Sequence, residues 1–271
     1  MTPPLVLFHA GCPDGFCAAW VFLQKHPFAE IMAVGYGDPP PAVTGRDVWI
    51  LDFSYKRGVT LALKRQVNSL HVFDHHETSQ YELEGIPEAR IEMGKSGARL
   101  IYDELFGEEK APWRWIVDYT EDRDLWLNKL PQTREISAAI ASFPRTTQAW
   151  NEMVAQGYGP LITEGEAILR YKTQIVSQVV SGAKEMNLDG HFVMVANCGV
   201  GNLESEVAGA LAEGRPFGAC WSESGNKRKW SLRSDTSGLN VARIAERRGG
   251  GGHAHAAGFI ESARDTLWRA A

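Results

Sequence analysis

Three apolar, strand-like runs near the start of the chain end in side chains that can bind a cation or move a proton. Residues 5–8 end at His9, with Asp14 close behind; residues 47–51 end at Asp52; residues 70–73 end at Asp74-His75-His76. A further carboxylate, Asp124, follows in Glu121-Asp122-Arg123-Asp124-Leu125-Trp126. Carboxylates and imidazoles gathered from separate strands suit Mn²⁺, Mg²⁺ or Zn²⁺, and the carboxylate weight favours the harder ions. A carboxylate shared by two ions about 3.5–4 Å apart is the usual core of a two-metal phosphoester site. Read singly, each residue has a plainer role. Asp52 would form a turn, His9 would be a hydrogen-bonded loop residue, His75 and His76 a surface pair, and Asp122 and Asp124 solvated loop groups. All of these plainer readings must hold together for the metal site to fail.

The elements that must position these groups alternate. Strand-like runs at 5–8, 31–36, 47–51 and 70–73 are separated by helical patterns at 16–26 and 57–67. Ser96 offers a cap to a helix over 96–105, and another helix begins over 112–120. This alternation predicts parallel βαβ units, with ligands at the carboxyl ends of the strands. Residues 146–186 read as helical without clear strands, with one long helix over 161–182. A second pattern follows: a strand over 191–196, a helix over 203–214, and paired strands at 218–221 and 229–233 about Ser224-Gly225-Asn226. A helix over 239–248 and a strand over 253–260 complete it. The expected class is therefore α/β. A parallel-sheet domain with flanking helices (1–145) leads through a helical linker (146–189) to a smaller α/β domain (190–271).

Composition narrows the setting. The 271 residues suffice for two domains and include no apolar run of about 18 residues, so no membrane span is expected. Met1-Thr2-Pro3-Pro4 lacks the basic stretch of a secretory signal, and Cys12, Cys17, Cys198 and Cys220 form no CxxC pair. A reducing, cytoplasmic location is the expectation. The net charge of −5 is uneven: residues 1–189 carry 18 basic and 25 acidic side chains, residues 190–271 carry 10 and 8. That balance argues against tight binding along duplex nucleic acid and permits a short polyanion.

Gly249-Gly250-Gly251-Gly252 precedes His253 and His255, with Arg233 upstream. Glycines let backbone amides approach an anion closely, although a bare glycine run is also a plain turn. The imidazoles and Arg233 add donors and charge. Lys227-Arg228-Lys229 reads as a solvated turn.

In these motifs the chain resembles the DHH family of phosphoesterases, RecJ-like and oligoribonuclease-like, with a DHH-associated domain at the C-terminus. The matching stretches are HAGCPDGFCAA, ILDFS, VFDHH, EDRDLW, WSLRS and GGGGHAHAAGF, in order over nearly the whole chain. The resemblance implies a two-metal centre, with Mn²⁺ expected first and Mg²⁺ or another divalent ion as the alternative. His9, Asp14, Asp52, His75 and Asp124 would be ligands, and Asp52 would bridge. Asp74 would orient the histidines, and His76 would face the scissile phosphate. Arg233, Gly250, Gly251, Gly252 and His253 would hold the rest of the substrate, while Cys12, Asp122 and His255 are left open. The family's first motif usually carries Asp-x-Asp; here Asp14 stands alone, and in the preferred alignment Cys12 takes the other position. One strong and one weak metal site are expected.

The implied activity is hydrolysis, by metal-activated water, of phosphodiester or phosphomonoester bonds in short nucleotides. Substrates of the nanoRNA, nucleotide bisphosphate or cyclic dinucleotide type fit. Polyphosphate or pyrophosphate hydrolysis, or a catalytically weakened nucleotide-binding module, are the alternatives. A stacking aromatic such as Trp221, Trp230 or Phe259 would favour nucleotides. The sequence leaves the oligomeric state open, a homodimer included.

Overall fold

The computed structural model describes residues 2–199 and 203–263. The chain forms two compact units, divided between Leu169 and Arg170. The division falls inside the stretch read from sequence as a linker.

The first unit opens with β1 (Leu5–His9), α1 (Pro13–Lys25), β2 (Glu30–Val34) and β3 (Asp47–Leu51). Next come α2 (Arg57–Lys64), β4 (Ser69–Asp74), α3 (Glu77–Glu82) and β5 (Ala89–Ile91). The helices α4 (Gly97–Phe106), α5 (Arg114–Asp124), α6 (Thr133–Ser142), α7 (Thr147–Gln156) and the start of α8 (Gly159–Ser181) complete it. The five strands are all parallel, in the order β2-β1-β3-β4-β5. The chain builds outward from β1 to β2, then crosses to β3. The switch point therefore lies between β1 and β3, where open parallel sheets bind ligands at their carboxyl ends.

Strand alternation sorts the core onto two faces. Val6, Phe8, Leu51 and Phe73 pack with α1, α4 and α5 on one side. Leu5, Leu7, Val48, Ile50, Leu70 and Val72 pack with Leu63 of α2 on the other. Such double burial explains why these strands read as continuous apolar runs. Pro13 stands at the first helical position of α1, where its missing N–H costs nothing, and Asp14–Phe22 are buried throughout.

In the second unit α8 is followed by β6 (Lys184–Leu188), β7 (His191–Asn197), α9 (Glu204–Ala212) and β8 (Gly218–Ser224). Then come β9 (Lys227–Arg233), α10 (Val241–Glu246), β10 (Gly251–His253) and β11 (Ala256–Ser262). The six strands run in the order β10-β11-β9-β8-β7-β6, with only β7 and β8 parallel. The sequence reading is corrected at three places, the first being Lys227-Arg228-Lys229, read as a solvated turn, which opens β9 with Arg228 buried. Residues read as helical up to 186 include β6, an edge strand paired with β7 alone. The segment read as one strand over 253–260 is the hairpin of β10 and β11, and part of the glycine run is strand. Among the described residues, no helix is long and apolar enough to cross a membrane.

Candidate metal centre

Strand register brings the first three motifs together. Phe8 pairs with Leu51, and Leu51 with Phe73, so His9, Asp52 and Asp74 come next along three neighbouring strands. Asp52 leaves β3 with φ of 57°, a left-handed conformation that Asp tolerates better than most residues. Its amide donates to the Phe73 carbonyl at 2.8 Å, which fixes the turn. Gly97, at the start of α4, lies against this turn: a Cβ there would come within 2.6 Å of the Asp52 Cβ.

The two oxygens of Asp52 face two different groups of donors. Oδ1 is 3.0 Å from His75 Nε2. The same nitrogen lies 3.4 Å from Asp124 Oδ2 and 3.6 Å from Asp14 Oδ2. One ligand atom each from Asp14, His75 and Asp124 falls within 4.8 Å of the others. Asp52 Oδ2 turns instead to His9 Nδ1 at 3.5 Å, too long for a good hydrogen bond. His9, Cys12 and Asp52 form a second group of the same compactness. Asp52 Oδ2, His9 Nδ1 and Asp124 Oδ2 are buried atoms without a hydrogen-bond partner among the described residues. Buried polar atoms left so are costly, and a cation between them removes that cost. The residues present thus fit one or two divalent ions.

Asp14 does two things. Its oxygens accept the backbone amides of Gly97 at 2.6 Å and Ala98 at 2.9 Å, capping α4 across the fold. The helix start read from Ser96 is also present, with Ser96 Oγ accepting the Arg99 amide. Asp74 lies behind the histidines. Its Oδ1 is 2.7 Å from His76 Nδ1 and also accepts the His75 amide at 2.8 Å. Ser79 Oγ donates to Oδ2 at 2.5 Å and receives a bond from Ser54 Oγ. This chain of bonds fixes which His76 nitrogen faces Asp74. Ser54, Ser79 and Gly97 escaped the sequence reading; Ser79 lies in a polar segment with no periodicity to mark it. Tyr36, whose ring meets His9 edge-on with centroids 5.1 Å apart, was read only as the end of a strand.

The two fourth-motif aspartates separate clearly. Asp122 accepts the amides of Lys129 at 2.9 Å and Leu130 at 3.0 Å, together with the Thr133 hydroxyl, so it holds the loop after α5. Asp124, at the last position of α5, faces His75.

Electrostatics follows from this packing. Burial raises the Asp14 carboxyl well above its usual range, and the charges of Asp52 and Asp124 raise it further. Burial likewise raises Asp124, partly opposed by His75. Burial also pushes Asp52 upward, but the His75 bond and the nearness of His9 outweigh it and hold Asp52 well below the usual range. For His75, burial favours the neutral ring, yet Asp52, Asp124 and Asp14 push it up to about 10. Burial also opposes ionisation of both members of the Asp74–His76 pair, and their mutual attraction overcomes it, lowering Asp74 and raising His76.

The remaining candidates lie in the second unit. Arg233 pairs with Ala256, and Ala256 with His253, so Arg233 and His253 share one face across β9, β11 and β10. Arg233 Nε donates to Ser205 Oγ at 3.1 Å, and His255 Nδ1 is 2.9 Å from Ser234 Oγ. Gly250 meets a close approach: a Cβ there would lie 2.1 Å from the Gly258 carbonyl oxygen. Gly251 and Gly252 pair with Gly258 and Ala257. Trp230 and Phe259 belong to the core, and Trp221 packs against it beneath the Arg228 guanidinium, 4.7 Å from the ring centre.

No protein-family model matches the chain. The uncharacterized protein R106 of Acanthamoeba polyphaga mimivirus is 27% identical over 288 residues, covering 95% of this chain and 67% of that protein. Among solved structures, RecJ in complex with Mn²⁺ from Thermus thermophilus is similar with a TM-score of 0.52 at 13% identity. That similarity covers 95% of this chain and 49% of RecJ. The pGpG-specific phosphodiesterase PggH from Vibrio cholerae gives 0.51 at 15% identity, over 98% and 95% of the two chains. The α/β fold is therefore similar to those of RecJ and PggH. The resemblance drawn from the motifs is matched at the level of the fold.

Proposed function

We propose that this chain is a metal-dependent phosphoesterase of the DHH type that hydrolyses phosphodiester or phosphomonoester bonds in short nucleotides. The observation that carries this reading is the position of Asp52, whose oxygens face the His75 group on one side and His9 on the other. Asp14, Asp52, His75 and Asp124 would hold one divalent ion, and His9 and Asp52 would contribute to a second. Divalent ions bound there supply the charge that holds phosphate oxygens and acidifies water. Mn²⁺ is the first choice, supported by the Mn²⁺ complex of the RecJ neighbour.

The protein's own groups do the rest. Asp74 engages His76 Nδ1 and fixes the ring, and His76 would face the scissile phosphate as a proton donor. In the second unit, Arg233, His253 and the glycine turn of Gly250, Gly251 and Gly252 would hold the remainder of the substrate. A short nucleotide is favoured by the mildly basic second unit, and the pGpG specificity named for the PggH neighbour supports it. The test is a Mn²⁺-dependent turnover screen over a linear dinucleotide, a 3′,5′-bisphosphate nucleotide, a cyclic dinucleotide and polyphosphate. Turnover of a nucleotide, lost in both Asp52→Ala and His75→Ala, is the expected result. Turnover that survives both substitutions rejects the site.

A further inference from the structure

Cys12 lies beside His9 and Asp52, and its sulfur is not used as a helix cap. It stands at the N-cap position of α1, yet its side chain makes no capping hydrogen bond. One ligand atom each from Cys12, His9 and Asp52 lies within 4.8 Å of the other two. Asp52 is fully buried, and its Oδ2 has no hydrogen-bond partner among the described residues. The His9 Nδ1 atom facing it is in the same condition. Asp14, two residues along, offers no substitute, because its oxygens bind the start of α4 and face His75.

We infer that His9, Cys12 and Asp52 form a thiolate-bearing ion site, distinct in chemistry from the carboxylate-rich site beside it. The inference rests on the metal-centre reading above. Sulfur, imidazole and a single carboxylate select a borderline-soft ion such as Zn²⁺, Co²⁺ or Fe²⁺. Asp14, Asp52, His75 and Asp124 offer mainly oxygen and suit Mn²⁺ or Mg²⁺. The two halves of the centre thus prefer different ions. Binding releases the Cys12 sulfhydryl proton to solvent and involves no change of oxidation state. The other cysteine of this unit, Cys17, is fully buried among the apolar residues of α1 and belongs to no such donor group among the described residues.

The test loads chelator-stripped protein with Co²⁺ and records its absorption spectrum. The expected result is a sulfur-to-cobalt charge-transfer band that is lost in Cys12→Ser, while the ligand-field bands of the neighbouring site remain. Cys12→Asp keeps the ion but not the band, and it shifts this corner's preference toward Mn²⁺. X-ray absorption of the Zn²⁺-loaded wild type needs no variant and is expected to show one sulfur neighbour at about 2.3 Å. A wild-type protein with no band and no sulfur neighbour overturns the inference, as does a band that persists in Cys12→Ser. Mn²⁺-dependent turnover without any sulfur signature removes this inference and leaves the proposed function standing. Failure to bind any divalent ion removes both.

Discussion

The Asp14 carboxylate and the Gly97 amide, 83 positions apart in sequence, are joined by a hydrogen bond of 2.6 Å. The side chain that faces His75 therefore also fastens α4 to the start of α1. A Cβ on Gly97 would press on the Asp14 carboxylate at 3.0 Å and on the Asp52 Cβ at 2.6 Å. Gly97→Ala is expected to cost about 1–3 kcal/mol of stability by overpacking and to weaken ion binding as Asp52 shifts. Urea denaturation and Mn²⁺ calorimetry measure the two effects. Unchanged affinity together with unchanged stability contradicts the close approach.

The same bond gives Asp14 a value that needs no metal. In chelator-treated protein, Asp14→Ala is expected to lose about 0.5–2 kcal/mol, the usual cost of a lost helix cap. Denaturant unfolding in excess chelator isolates that contribution from ion binding.

Asp74 is expected to act through His76 rather than on the substrate. Asp74→Asn leaves the shape but weakens the grip on Nδ1, and a loss on the order of 10–100-fold in metal affinity or activity follows from the behaviour of such orienting groups. Serine-to-alanine substitution at Ser79 removes one of the bonds that hold Asp74 and is expected to move activity in the same direction by less. Turnover at several Mn²⁺ concentrations, beside a thermal melt, separates this effect from unfolding.

The neighbouring aspartates of α5 make a matched pair. Asp122→Ala strips the acceptor from two amides and a hydroxyl and is expected to cost about 1–3 kcal/mol, with bound metal unchanged. Asp124→Ala is expected to do the reverse, reducing bound metal at little cost to the fold. Elemental analysis after dialysis and urea melts of both variants decide the assignment.

His71 gives a pH dependence away from the site. Its ring stacks on Trp49 with centroids 4.1 Å apart, and burial lowers its pKa below the ordinary 6.5 despite nearby carboxylates. The folded state then binds fewer protons than the unfolded chain, so this contribution to stability is complete above about pH 6.5 and declines as pH falls through the lowered value. His71→Phe is expected to flatten that part of the stability–pH curve. Urea melts from pH 7.5 downward show whether the wild-type slope disappears.

The parts of the fold that repeat a pattern could be read from sequence, and those held by single contacts could not. β1, β3 and β4 announce themselves because both faces are buried, giving unbroken apolar runs that end at His9, Asp52 and Asp74. α3 has no such pattern; its sequence is polar, and Ser79 ties it to Asp74. β5 is only three residues long. β6 was absorbed into the preceding helical reading because an edge strand of five residues buries little, with only Leu188 fully covered. At the site, residue types and strand ends picked out side chains that the fold brings together. The sequence reading prefers Asp124 to Asp122 as the ligand, but that Asp122 holds the loop after α5 needed coordinates. The glycine run was legible as a place of close approach, but the partner that approaches Gly250 is the Gly258 carbonyl of its own sheet.

The donors Asp14, Asp52, His75 and Asp124 belong to α1, the turn after β3, the turn after β4 and the end of α5. No short fragment of the chain contains them in contact, so the unfolded polypeptide has no comparable grip on a cation. An ion seated there would therefore be a folding ligand, contributing about 2.7 kcal/mol when its free concentration is a hundred times its dissociation constant. Metal starvation would then lower the folded fraction of this protein and shorten its lifetime wherever unfolded chains are degraded.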